Sequence, residues 1–122
     1  MADSTLLFHL SDIHFGLEHN RALDWVAAEI TERKPAAVLI TGDLTMRARA
    51  REFAAACDWI ETLDVPVTVE VGNHDLPYFN PVRRIWRPYG RVMRLQQELH
   101  DGVTLDQVQL VSLRTTARVQ LR

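Results

Sequence analysis

Residues 36–45 read Ala-Ala-Val-Leu-Ile-Thr-Gly-Asp-Leu-Thr, an apolar run that stops at Thr41-Gly42-Asp43. Five small or branched apolar residues closed by a glycine and an acid fit a buried strand followed by a sharp turn. The same phrase occurs on either side. Thr5–Leu10 (TLLFHL) runs into Ser11-Asp12, and Val67, Val69 and Val71 alternate with Thr68 and Glu70 before Gly72-Asn73-His74-Asp75. Helical spacing fills the gaps. Leu23, Val26, Ala27 and Ile30 recur at i, i+3, i+4 and i+7 behind Asn20, which is expected to cap the first helix. Phe53, Ala56, Cys57 and Ile60 repeat that spacing in the second. Strands alternating with helices imply parallel pairing, so the expected fold class is α/β, a layered, mainly parallel sheet with helices.

The remainder is less regular. Asn80-Pro81 suits the start of a third helix, Val92, Leu95 and Leu99 suit a further helical piece, and Val103–Leu105 with Val108–Leu113 suit a hairpin or two short strands. Nothing marks a linker, so residues 1–122 are expected to form one domain.

Composition narrows the function classes. A hydrophobic fraction of 47% and a charged fraction of 25% are those of a globular domain and not of a disordered one. No apolar run reaches the length of a membrane span, and the first residues lack the basic-then-apolar order of a secretory leader. The single cysteine, Cys57, cannot form an internal disulfide, which suits a cytoplasmic location. A net charge of −2 argues against a nucleic-acid partner held by a bulk positive field. Lys34 is the only lysine among 14 basic residues, and Arg83, Arg84, Arg87, Arg91 and Arg94 cluster in a stretch that could hold an anionic substrate. His9 is expected to be packed in the core, Trp25, Trp59 and Trp86 to be packing residues, and Cys57 to be a buried, inert thiol.

The polar residues fall at strand ends. Asp12 with His14, then Asp43, then Asn73, His74 and Asp75 follow the first, second and third strands at spacings of 31 and 30 residues. A parallel sheet brings all three groups to one carboxyl edge, where α/β folds bind ligands. Single residues of these types often cap a loop or helix. Gathered together, the carboxylates repel unless a proton or a cation joins them. A mixed oxygen and nitrogen set suits Mn²⁺, Fe²⁺, Zn²⁺ or Co²⁺, and the lack of cysteine argues against structural zinc.

Asp12-Ile13-His14, Gly42-Asp43 and Gly72-Asn73-His74-Asp75 resemble the first three signature blocks of the calcineurin-like metallophosphoesterases. The wording Thr-Gly-Asp-Leu-Thr and Gly-Asn-His-Asp-Leu-Pro is most similar to the cyclic-nucleotide-phosphodiesterase-like branch. The resemblance implies a hydrolase of phosphate esters, phosphodiesters and cyclic nucleotides included, with two divalent metal ions and a metal-activated water. It implies Asp12 and His14 on the first metal, Asp43 bridging both and Asn73 on the second. His74 is implied as the catalytic group beside the leaving oxygen, with Asp75 orienting its ring. Met46 stands where some relatives carry a second acid. The family's later histidine blocks have no counterpart after Asp75, so the chain is expected to cover roughly the first half of the family domain. That leaves an alternative, a catalytically incomplete fragment that binds metal weakly or only folds. A homodimer is one means of completing the site.

Overall fold

The computed structural model describes residues 4–70, 72–75, 105 and 108–111; Asn73 is described in its backbone alone. The third helix expected from Asn80-Pro81, the helical piece of Val92, Leu95 and Leu99, the arginine cluster, Trp86 and most of the expected C-terminal hairpin lie outside these residues. Leu105 and residues 108–111 carry no strand.

Three strands form the expected parallel sheet in the order β1 (Leu7–Ser11), β2 (Ala37–Thr41), β3 (Val67–Val69). Helices α1 (Asn20–Arg33) and α2 (Ala50–Glu61) link them, and a 3₁₀ turn over Asn73–Asp75 follows β3. Leu7 stands opposite Ala37 and Ser11 opposite Thr41, while Val38 faces Val67 and Ile40 faces Val69. This register levels the ends of the strands, so the three polar groups start from one edge.

Alternation along the strands divides the sheet into two faces. Val38, Ile40, Val67 and Val69 are buried in the core, with Phe8 and Leu10 packed against them. Both predicted helical stripes meet that same face: Ile30, Phe53, Ala56 and Ile60 are buried, and Leu23, Val26, Ala27 and Cys57 pack alongside, partly buried. The other face carries His9, which is exposed and hydrogen-bonded through Nε2 to Thr41 Oγ1 at 2.7 Å. His9 is thus a surface residue and not a core one, because its strand position faces away from both helices. Trp25 is likewise exposed, off the apolar stripe of α1, whereas Trp59 packs on the core beside Phe15.

The cap of α1 is His19 and not Asn20. Its Nδ1 accepts the Ala22 amide at 3.2 Å, the bond an asparagine side chain would make one residue earlier in the chain. At the start of α2, Glu52 is buried and its Oε2 accepts the amides of Arg47 at 3.1 Å and Arg49 at 2.7 Å. A carboxylate in the first turn of a helix satisfies free N–H groups and favours the positive end of the helix dipole.

Candidate metal centre

The loops leaving β1 and β2 continue side by side beyond the strands. Asp12 N–H bonds Thr41 O, His14 N–H bonds Asp43 O, and Phe15 and Thr45 form a parallel bridge that ends with Met46 N–H on Phe15 O at 3.0 Å. This ladder fixes the placement of Asp12, His14 and Asp43 by backbone bonds. To fit it, Asp12 and His14 take left-handed backbone angles, φ 54° and 55°. Such angles cost about 1 kcal/mol or more for a residue with a side chain, and persist only where the surroundings enforce them.

The third loop is bound to the second by Asp75. Its buried carboxylate accepts the amides of Leu44 at 3.0 Å, Thr45 at 2.6 Å and Gly72 at 3.0 Å, and the Thr45 hydroxyl at 2.8 Å. Thr45 Oγ1 in turn accepts the Ala48 amide at 3.1 Å. Burial pushes the Asp75 carboxyl above the usual carboxylate range, and its hydrogen bonds with Gly72, Leu44 and Thr45 offset only part of that. Gly72 allows the close approach of the two loops: a Cβ there would stand 2.5 Å from the Asp43 nitrogen and from the Gly42 carbonyl carbon.

These constraints gather His14, Asp43 and His74. One donor atom from each lies within 4.8 Å of the others. Asp43 Oδ1 accepts the His74 amide at 2.7 Å, and Asp43 Oδ2 is 3.8 Å from His74 Nε2. The His14 and His74 rings meet edge to face, their centroids 5.3 Å apart. His74 Nδ1 lies 2.7 Å from the Met46 carbonyl oxygen. Asp75 therefore does not orient the His74 ring, as the sequence resemblance implied. Its oxygens are taken up by the loops, and a backbone carbonyl holds the ring instead.

Asp12 stands beside this group but outside the set of three. Its Oδ2 accepts the Ser11 hydroxyl and its Oδ1 accepts the Asp43 amide at 3.3 Å. Those two bonds, the first above all, hold its carboxyl below the usual carboxylate range. Asn73 lies in the 3₁₀ turn next to His74, so its backbone is at the same edge.

The sequence model of calcineurin-like phosphoesterases matches residues 6–118. The chain belongs to this family. No curated protein matches it. Membership makes the chain a member of a class of phosphoester hydrolases that generally bind divalent metals, and the donors present fit such an ion. His14 Nδ1 is the one buried side-chain nitrogen or oxygen without a partner among the described residues, in a ring that meets the His74 ring edge to face. Two imidazoles and a carboxylate are the donor types that borderline divalent cations select. No helix among the described residues is long and apolar enough to cross a membrane.

Thr45 and the Met46 carbonyl are the functional groups that sequence reading missed. Thr45 was visible only as part of the Thr-Gly-Asp-Leu-Thr wording. A backbone carbonyl leaves no trace in residue identity at all.

Proposed function

We propose that this calcineurin-like phosphoesterase hydrolyses phosphodiesters, cyclic nucleotides among them, at the edge formed by the loops after β1, β2 and β3. The observation that carries this reading is the convergence of His14, Asp43 and His74 donors within 4.8 Å from three separate loops. Asp12 and His14 would hold one divalent cation, Asp43 would be shared, and Asn73 would serve a second, with Mn²⁺ and Fe²⁺ favoured and Zn²⁺ or Co²⁺ as alternatives. Bound there, the cations supply a water of lowered pKa and neutralise charge on the phosphate oxygens.

The chain's own groups do the rest. Asp43 is largely shielded from solvent, its side chain 16% exposed, so its charge acts at close range with little screening. His74 presents Nε2 to the site, and an imidazolium there would donate its Nε2 proton to the leaving oxygen. Asp75 and Thr45 keep the His74 loop fixed against the Asp43 loop, which preserves the distance between the acid and the imidazole. The edge faces a soluble phosphoester in this reading, in a cytoplasmic setting.

The test is Mn²⁺-dependent hydrolysis of bis-p-nitrophenyl phosphate by the wild-type chain and by Asp43→Ala. Hydrolysis by the wild type and its loss, by at least about a hundredfold, in the variant is the expected result. A folded wild type that binds Mn²⁺ and leaves the ester intact would overturn it. That outcome would favour a second reading, a domain that binds a cation without turning over ester.

A further inference from the structure

We propose that Glu52 is a positioning residue for His74, acting on its ring through the single peptide group that joins Met46 to Arg47. The inference rests on the reading of His74 as proton donor to the leaving oxygen and adds the residue that holds it in that role.

The chain of contacts is short. Met46 O lies 2.7 Å from His74 Nδ1, and a carbonyl oxygen only accepts, so the hydrogen is on Nδ1. That carbonyl shares a planar, trans peptide unit with the Arg47 N–H, which points the opposite way. The Arg47 N–H donates to Glu52 Oε2 at 3.1 Å. One rigid plane thus has a carboxylate at one end and an imidazole at the other. The bond from the Met46 N–H to Phe15 O belongs to the preceding peptide unit, so it does not fix the direction of this carbonyl.

Glu52 is itself held firmly. It is 4% exposed and stands in the first turn of α2, whose Phe53 and Ala56 are buried in the core. The same Oε2 accepts the Arg49 N–H at 2.7 Å, and a Cβ on Gly16 would run into Oε1, so the carboxylate also lies against the first loop just past Phe15. Hydrogen bonds to a buried charge are strong, and bonds in series reinforce one another. What the relay opposes is also close by. His74 Nε2 is 3.8 Å from Asp43 Oδ2, and that carboxylate draws the hydrogen of a neutral ring toward Nε2. With Nδ1–H held by Met46 O, an imidazolium gives its Nε2 proton to the leaving oxygen and is left neutral, its remaining hydrogen on Nδ1.

Nitrogen NMR of the full chain, without added metal and at a pH where the ring is neutral, reads the His74 tautomer directly. The Nδ1–H form is expected in the wild type and in Glu52→Gln, whose amide oxygen can accept the same N–H groups. A mixture with the Nε2–H form is expected in Glu52→Ala. Should that variant fail to fold, Glu52→Asp, which draws the oxygens back by one carbon, is expected to show the mixture. An Nε2–H ring in the wild type, or an undisturbed Nδ1–H ring in the folded Ala or Asp variant, would overturn the inference. Kinetics with Mn²⁺ supply a second readout, because p-nitrophenolate departs without a proton and the alkoxide of a cyclic nucleotide does not. Relative to Glu52→Gln, Glu52→Ala is expected to lose at least about tenfold more kcat on cyclic AMP than on bis-p-nitrophenyl phosphate. Equal losses on the two esters would reduce Glu52 to a structural role and overturn the inference. A folded wild type that cleaves neither ester would overturn the phosphodiesterase reading instead, and the tautomer alone would then decide what Glu52 does.

Discussion

At the amino end of the sheet, α1 turns into β2 through Lys34 and Pro35, and α2 turns into β3 through Asp64, Val65 and Pro66. At the carboxyl end, the strands run out into the loops of Asp12 to Phe15, Gly42 to Met46 and Gly72 to Asp75. Both ends contain non-glycine residues with positive φ: Lys34 at 47° and Asp64 at 49° on one side, Asp12 at 54° and His14 at 55° on the other. The same backbone angle has different causes. Lys34 closes α1, its amide bonded to Ile30 O at 2.9 Å, in the left-handed position that commonly ends helices. Asp12 and His14 end no helix. They are turned by the ladder between two loops, and that ladder brings the His14 donor within reach of Asp43 and His74. Strain at the amino end ends a helix, and strain at the carboxyl end builds a site.

The contrast is broken most severely at Gly72. Gly72→Ala places a methyl group 2.5 Å from backbone atoms of both Gly42 and Asp43, neither of which can swing away. A loss of more than about 3 kcal/mol is expected, read as a fall in the urea midpoint, with Mn²⁺ binding lost in whatever remains folded. Next comes Thr45→Val. The buried hydroxyl donates to Asp75 and accepts the Ala48 amide, so its removal takes two hydrogen bonds out of the clasp and is expected to cost about 1–3 kcal/mol. A cost within a few tenths would show that the two loops hold together without this clasp.

Asp75 gives the comparison a pH dependence. Its pKa is raised in the folded chain, so the folded state keeps a proton that the unfolded state has released. Stability from this group is complete below the ordinary carboxylate pKa and is lost as pH rises from there through the raised native value. Urea midpoints across that window should therefore decline in the wild type and decline less steeply in Asp75→Asn. An equal slope in both would place the titration elsewhere. The smallest effect belongs to the amino end, where Lys34→Gly should stabilise by about 0.5–1 kcal/mol because the position asks for a left-handed backbone alone. The same change at His14 relieves a like backbone angle and should abolish Mn²⁺ binding. If Lys34→Gly also altered metal binding, the two ends would not be independent.

Much of this was legible in the sequence because it depends on short-range patterns. Apolar runs ending in Gly42-Asp43 and Gly72-Asn73 gave the strands, and 3.6-residue spacing gave the core-facing stripe of both helices. Even spacing of the polar groups then gave a common edge, since parallel strands of similar length must level their termini. His9 and Trp25 were misread because burial depends on which face the helices cover, and β1 and α1 each have another face that those helices leave open. His19 displaced Asn20 as the cap because either side chain can accept the amide, and the path of the preceding loop selects between them.

What the sequence by itself determined was the α/β class, the family and the identity of the polar residues at the carboxyl edge. Periodicity and residue chemistry are local, so they survive without coordinates. Only the tertiary structure decided how those residues divide the work. Asp75 became a buried clasp between loops and Met46 became the support of His74 through its main chain. Hydrogen bonds between residues about 30 positions apart made that division, and such bonds depend on distances that no order of residues records.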